Sequence, residues 1–274
     1  MKKIIFTTDF SESADKAMFY ALDLALVLKA DLHIFHAYQL PHNRADVMMS
    51  VMDILKKDAE DGMEETLNKI NATNKYESLN ITTQVKMGDV ASLIVGNLME
   101  EDYDLVILGT TGASGMKKII GSTASHVIKH SNVPVLTVPL GCKIACTSTE
   151  FIGFSLDLVE IKNKAAISFF KDFVKGVNGK VKFVNINKRK RNPDEVMARG
   201  QKFIDENFNF NCDLKIVEAE DVPTGIEEFI KNEGINVMTM IDRKDTFFER
   251  LFNKSITQQM SYRSNIPLLI LKDK

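Results

Sequence analysis

The chain alternates apolar, strand-like runs with helical stretches, and it completes this alternation twice. In the first half we predict strands over residues 4–9, 32–37, 81–87, 104–108 and 133–138, and helices over 14–29, 45–70, 90–101 and 123–130. In the second half we predict strands over 151–157, 181–186, 214–218, 237–241 and 266–271, and helices over 193–207, 224–232 and 255–263. Such alternation predicts parallel sheets covered by helices on both faces.

The two halves also match locally. Gly88-Asp89-Val90 corresponds to Glu220-Asp221-Val222, and Asn132-Val133-Pro134-Val135-Leu136 corresponds to Asn265-Ile266-Pro267-Leu268-Leu269. A period of about 130 to 150 residues indicates a duplicated domain rather than a solenoid. We therefore predict an α/β protein of two tandem domains, residues 1–140 and 150–274, each a five-stranded, mainly parallel sheet flanked by helices.

A glycine-rich loop follows the fourth predicted strand. It contains Gly109, Gly112 and Gly121, and then Ser122 and Thr123 open a helical stretch. Glycine lets the backbone approach an anion closely, and the first N–H groups of a helix attract negative charge. Glycines after a buried strand can also be simple turn residues. We favour the first interpretation, which predicts a nucleotide or another phosphorylated ligand.

Net charge, the length of the apolar runs and the cysteine count indicate which class of protein to expect. The formal net charge of the 274-residue chain is −2, so nucleic acid is not an expected partner. No apolar run reaches the length of a membrane span, and the N-terminus turns polar too soon for a signal peptide. Three cysteines (Cys142, Cys146 and Cys212) suit a reducing cytoplasm. The C-x3-C pair and the pair His126 and His130 lack further ligands nearby, so we assign no metal site.

Several segments, taken in order, resemble the universal stress protein family in a tandem form. They are Thr7-Thr8-Asp9-Phe10-Ser11, His36-Ala37, Met87-Gly88-Asp89, Leu108-Gly109-Thr110-Thr111-Gly112, Gly121-Ser122-Thr123 and Val133-Pro134-Val135-Leu136. The resemblance implies a Rossmann-like, adenine-nucleotide α-hydrolase-like fold for each half. The ATP-binding branch of the family is known for G-x2-G-x9-G-[ST]. Eight residues separate Gly112 from Gly121, so this loop is one residue short.

The resemblance also implies a set of binding residues and a cofactor, namely ATP, AMP or ADP, with or without Mg²⁺. Thr8 and Asp9 would face the adenine and ribose, and Ala37 would line the base pocket through its backbone. The remaining residues would contact the ribose and phosphates: Gly109, Gly112, Gly121, Ser122 and Thr123. For Asp9 an alternative stays open, since this carboxylate could merely help to cap the next helix.

The second half departs from the pattern. Ile241, Lys244 and Lys254 stand where the first half has its three motif glycines, and residues 247–252 form an apolar, helix-capable stretch. Larger side chains obstruct the close backbone approach that phosphate binding needs. We therefore expect at most one nucleotide per chain, bound by the first half, and a packed element or contact surface at residues 247–252.

The leading hypothesis is a cytoplasmic, regulatory nucleotide-binding stress protein that is not an enzyme. The sequence has no Walker lysine and no G-x-S-x-G elbow, so no catalytic residue is assigned; slow ATP hydrolysis or autophosphorylation stays open. The rival hypothesis is an interaction module that has lost nucleotide binding in both halves. The apolar final strand of each half carries a proline suited to a sheet edge. We expect these strands to pair within the chain as a pseudo-dimer, and a further homodimer stays open.

Overall fold

The computed structural model describes residues 1–39, 48–100, 102–110, 122–140, 142, 151–188, 191–208, 210, 212–243 and 266–273. Within these ranges the strands are β1 (Lys3–Thr7), β2 (Asp31–Tyr38), β3 (Ile81–Met87), β4 (Leu105–Thr110), β5 (Val135–Pro139), β6 (Phe151–Ser155), β7 (Lys180–Ile186), β8 (Asp213–Val217), β9 (Val237–Arg243) and β10 (Leu268–Asp273). The helices are α1 (Glu12–Leu28), α2 (Met48–Asn71), α3 (Val90–Glu100), α4 (Ser122–His130), α5 (Lys164–Gly176), α6 (Pro193–Asn207) and α7 (Val222–Glu233).

The strands form one ten-stranded sheet in the order β3-β2-β1-β4-β5-β10-β9-β6-β7-β8. The first five strands of the chain therefore have the order 3-2-1-4-5, and the last five repeat it. Neighbouring strands are parallel except where β5 meets β10. The predicted α/β class, with mainly parallel sheet and flanking helices, is confirmed.

The two halves meet at their final strands. β10 runs antiparallel to β5, with Leu269 opposite Leu136. The prolines that the sequence analysis placed in these strands, Pro134 and Pro267, lie just before them. Because this one junction is antiparallel, the carboxyl ends of the parallel strands in the two halves face opposite edges of the sheet.

Each face of the sheet carries one packed cluster that draws on both halves. Along β4 the burial alternates between them: Leu105 and Ile107 belong to one cluster, and Val106 and Leu108 to the other. Strands that are buried on both faces read as continuous apolar runs, which is why the sequence signal for β4 is strong. Since both clusters cross the β5–β10 junction, the halves share their hydrophobic core.

One helix differs from the sequence-based prediction. No helix is predicted from the sequence between the first two strands of the second half, but α5 lies there. Its N-cap is Asn163, and its buried residues recur at helical spacing: Ala166, Ile167, Phe170, Phe173 and Val174. The C-terminal Gly176 lies against Leu28 of α1, where an added Cβ would come within 2.3 Å of a Leu28 methyl group. Helix α5 is thus part of the contact between the halves.

Other predictions lie outside the described residues, namely the helix over 255–263 and the packed segment over 247–252. Strand β9 extends two residues beyond its predicted end, to Arg243, and β10 extends to Asp273. In the part of the chain that the structure describes, no helix is both long and apolar enough to cross a membrane.

Candidate functional site

The candidate site lies where the strand order of the first half reverses. Strand β1 lies between β2 and β4, with Thr7 opposite Phe35 on one side and Leu108 on the other. The chain leaves β1 towards β2, whereas β4 leads on to β5 in the opposite direction. In open parallel sheets such a switch point leaves a crevice at the carboxyl ends of the strands, and ligands bind there. Thr8, Asp9, Ala37 and Gly109 lie at or just beyond these ends, as the sequence predicts.

The turn after β1 is organised by hydroxyl and carboxylate groups. The Thr8 hydroxyl accepts a hydrogen bond from the backbone N–H of Phe10 at 3.0 Å. Asp9 is exposed, and its Oδ1 accepts from the N–H and the hydroxyl of Ser11, at 3.1 and 2.6 Å. Ser11 in turn caps α1 through a bond from the N–H of Ala14. Asp9 therefore supports the helix cap and still presents a carboxylate at the edge of the crevice.

Phe10 connects β1 to its neighbours. Its backbone is left-handed, with a φ of 60°, and its ring lies 4.1 Å from that of His36. The Nδ1 of His36 lies 2.8 Å from the carbonyl oxygen of Thr8. On the other side the Phe10 ring contacts α2 so closely that a Cβ on Gly62 would approach it to 2.8 Å. Neither Phe10 nor His36 is predicted from the sequence as a site residue. The positive φ of a non-glycine residue such as Phe10 has no local sequence signal.

Ala37 and Gly109 are set by packing. The Ala37 side chain is buried, and its predicted contact with the base through the backbone stays a prediction. At Gly109 a Cβ would lie 3.2 Å from the Cβ of Ala17 and 3.6 Å from the Cα of Ala14. Small residues on both elements let α1 lie close to β4. Gly109 thus has a packing reason to be glycine, independent of any ligand.

Helix α4 begins directly after the glycine-rich loop. It connects the carboxyl end of β4 to the parallel strand β5, so its N-terminus lies at the same edge as the crevice. Lys129 and His130 in its last turn complement its dipole. Thr123 is partly exposed in the first turn, whereas Gly112, Gly121 and the side chain of Ser122 lie outside the described residues. Their predicted contacts stay predictions.

Asp89, which the sequence does not predict as a site residue, lies at the same edge, just beyond the carboxyl end of β3. Its Oδ2 accepts from the N–H and the hydroxyl of Ser92 at 2.9 and 2.8 Å, which caps α3, and its Oδ1 accepts from the amide of Gln39 at 3.1 Å. The hydrogen bonds from Ser92 lower the pKa of the Asp89 carboxyl, with smaller contributions from Gln39 and the nearby His126. Asp89 thereby ties the end of β2 to the start of α3.

In the part of the chain that the structure describes, no group of three or more histidine, cysteine, aspartate or glutamate residues is placed to hold a metal ion. The rings of His126 and His130 lie 4.4 Å apart on the exposed side of α4. Burial raises the pKa of the Cys212 thiol to about 11, so this thiol is a poor nucleophile and ligand.

Different side chains lie at the carboxyl ends of the equivalent strands in the second half. Ile4 pairs with Leu105 and Ile152 pairs with Val237, so the repeat places Ile241 at the position of Gly109 and Asp157 at that of Asp9. The guanidinium of Arg243 holds both oxygens of Asp157, at 2.9 and 3.1 Å, and Oδ2 of Asp273 at 2.6 Å. It also donates to the carbonyl groups of Val159 and Glu160. An arginine side chain thus fills the crevice of the second half.

A model of the universal stress protein family matches residues 1–139, just over half of the chain. The chain belongs to the universal stress protein family. This assignment confirms the resemblance drawn from the sequence, and the matched residues include β1 to β5 and the glycine-rich loop.

Individual relatives agree. A universal stress protein of Methanocaldococcus jannaschii is 30% identical over 155 residues, which are 50% of this chain and 94% of the relative. The crystal structure of a universal stress protein from Archaeoglobus fulgidus matches 99% of this chain and 98% of its own, with a TM-score of 0.75 and 18% identity, and thus supports the two-halved fold alone. A universal stress protein solved in complex with cAMP matches 50% of this chain and 96% of its own, with a TM-score of 0.38 and 22% identity.

Proposed function

We propose that the first half binds one adenine nucleotide, ATP or the related ADP or AMP, with or without Mg²⁺, and that the protein is a regulatory, non-catalytic stress protein of the cytoplasm. The observation that carries the proposal is the convergence at one edge of the ends of β1, β2 and β4 and the N-terminus of α4. These are the elements on which the family resemblance places Thr8, Asp9, Ala37, Gly109 and Thr123.

The chemistry of this edge suits a nucleotide. The N-terminus of α4 supplies the positive end of a helix dipole and unpaired N–H groups for phosphate. Asp9 supplies an exposed carboxylate that can accept from ribose hydroxyl groups. In the sequence, the loop before α4 contains Gly112 and Gly121, whose small size permits close approach of the backbone to a phosphate.

Arg243 supports a stoichiometry of one nucleotide per chain. Its side chain is 11% exposed and pairs with Asp157, the residue equivalent to Asp9. A ligand at this position would have to displace two ion pairs and two hydrogen bonds to backbone carbonyl groups, and Ile241 adds bulk where the first half has Gly109. We therefore infer that the second half keeps the fold and has lost the site.

We also infer that residues 1–140 and 150–274 act as two domains paired within one chain. The antiparallel β5–β10 junction and the shared clusters support this inference, because each half would otherwise leave its apolar final strand unpaired on one side.

Two observations favour the alternative function, an interaction module without a nucleotide. Gly109 is explained by packing against Ala14 and Ala17, and the loop is one residue shorter than the ATP-binding pattern. A binding assay separates the two functions directly.

The test is the thermal stability of the purified chain with and without ATP and Mg²⁺. A ligand at 100 times its Kd stabilises the native state by about 2.7 kcal/mol, which raises the Tm of a protein of this size by roughly 5 °C or more. Asp9→Ala should weaken the shift, whereas the matched variant Asp157→Ala should retain it relative to its own baseline. No shift in the wild type at millimolar ATP would leave the interaction module as the better account.

A further inference from the structure

Helix α4 reaches from one half of the molecule to the other. Its nine residues span about 13 Å, from the candidate nucleotide edge at Ser122 to His130 at the opposite edge. Because β5 and β10 are antiparallel, the carboxyl ends of β9 and β10 lie at this opposite edge. The C-terminal turn of α4 therefore ends beside the carboxyl ends of β9 and β10 in the second half.

One buried lysine makes the contact. The Nζ of Lys272 in β10 donates to the carbonyl oxygen of Ile128 in the last turn of α4, and to Oδ2 of Asp242 in β9 at 2.9 Å. The side chains of Lys272 and Asp242 are 2% and 7% exposed. A cation at a helix C-terminus is favourable, and solvent screens the interaction little at this depth.

The first half has no equivalent of this pair. Thr110 pairs with Pro139 in β4 and β5, and the same register in β9 and β10 pairs Asp242 with Lys272. The repeat thus places a charged pair in the second half where the first has threonine and proline. Burying two charges is costly and rarely the best route to stability, so a pair that holds a helix of the neighbouring half points to a positional role.

We propose that Lys272 is a positioning residue for the nucleotide site of the first half. By holding the C-terminal turn of α4, it fixes where the N–H groups of the first turn lie relative to the phosphates. The inference rests on the proposed function, because it assigns to the second half a role in that same site. Since coupling between two sites is reciprocal, nucleotide binding also strengthens the hold of Lys272 on α4.

The test compares two double variants in the full chain. Lys272→Met combined with Asp242→Asn removes the contact to α4 and neutralises both members of the buried pair. The control is Lys182→Met combined with Glu233→Gln: Lys182 also donates to a helix C-terminal carbonyl, that of Glu233 in α7, and to its carboxylate, at 3.0 and 2.9 Å. That helix belongs wholly to the second half, so the control disturbs a similar contact away from the nucleotide edge.

The Kd for ATP should rise about 3- to 30-fold in the first variant, the range seen for residues that modulate coupling without touching a ligand, and stay within about twofold in the control. Amide hydrogen exchange of the first turn of α4 should accelerate only in the first variant. In the wild type, ATP should slow exchange in residues 128–130 and 271–273, a measurement that needs no variant to fold.

The outcomes are distinguishable. Wild-type binding of ATP with an unchanged Kd in the Lys272 variant, or with no ATP-dependent protection at residues 128–130 and 271–273, would overturn the positioning role and leave the nucleotide site standing. A wild type that binds no ATP would overturn the proposed function itself, and the positioning role with it.

Discussion

Replacing Arg243 with methionine tests how the second half is held together. The guanidinium joins the ends of β6, β9 and β10, since Asp157 follows β6, Arg243 ends β9 and Asp273 ends β10. Methionine keeps much of the side-chain volume and removes the charge and all the donors. The substitution leaves two carboxylates without their arginine partner, and these differ in environment. The side chain of Asp157 is 47% exposed, whereas that of Asp273 is 2% exposed.

The expected cost follows from that difference. Water can solvate Asp157, so its exposed pair with Arg243 contributes only ~0.5 kcal/mol. Asp273 is left as a buried charge, and removing one partner of a buried pair typically costs about 3 to 5 kcal/mol. Because Oδ1 of Asp273 keeps its bond from the N–H of Asn163 at 2.7 Å, we expect the lower end, about 3 kcal/mol. The corresponding fall in Tm is roughly 6 to 12 °C.

Urea denaturation followed by circular dichroism measures the effect, with the Asp273→Asn change added in a double-mutant cycle. Neutralising Asp273 in the Arg243→Met background should restore part of the lost stability, because no buried charge then stays unpaired. Lys202→Met is the control: Lys202 pairs with Glu206 across an exposed helix turn, so its loss should cost less than about 0.5 kcal/mol. An Arg243→Met cost below about 1 kcal/mol, or a further loss on adding Asp273→Asn, would refute the reasoning.

Further outcomes are expected. Asp89→Ala removes the cap of α3 and should cost about 1 kcal/mol in a thermal or urea unfolding experiment. Because the folded-state pKa of Asp89 is lowered, this contribution is present above the ordinary pKa of 3.8 and is lost as the pH falls through the folded-state value. The stability gap between wild type and Asp89→Ala should therefore be full at pH 6 and shrink below about pH 4; a gap that widened there would contradict the assignment. Residues 1–140 and 150–274, expressed separately, should associate with each other or precipitate, and analytical ultracentrifugation of the mixture measures the association. Two stable monomers that do not associate would contradict the shared core.

The architecture was largely readable from the sequence. Apolar runs such as Leu105–Thr110 carry their own signal, because a buried parallel strand has no polar face. The pairing of β5 with β10 was expected from two apolar final strands that each needed a neighbour. Helix α5 was missed although its apolar residues recur at helical spacing, so that error lay in the interpretation rather than in a missing signal.

The side-chain contacts at the carboxyl ends of the strands could not be predicted from the sequence in the same way. Arg243 meets Asp157 across 86 residues of chain, and nothing local to Arg243 predicts that partner. Lys272 follows an apolar run and resembles a solvated chain end, yet the antiparallel junction buries it against α4. Two explanations exist for the glycine at position 109, close approach to a ligand and packing against α1. The second becomes evident only from the structure, which places Ala14 and Ala17 beside Gly109. Long-range contacts of this kind depend on the assembled sheet.

Isothermal titration of the full chain with ATP tests the central claim most directly. In the described part of the first half Asp9 is exposed at the carboxyl ends of the strands, whereas in the second half Arg243 pairs with the equivalent Asp157. We predict a stoichiometry near one, and loss of binding in Gly112→Val with the fold retained, because a branched side chain blocks the approach of the backbone to phosphate. A stoichiometry near two, or binding by Gly112→Val equal to that of the wild type, would contradict the account.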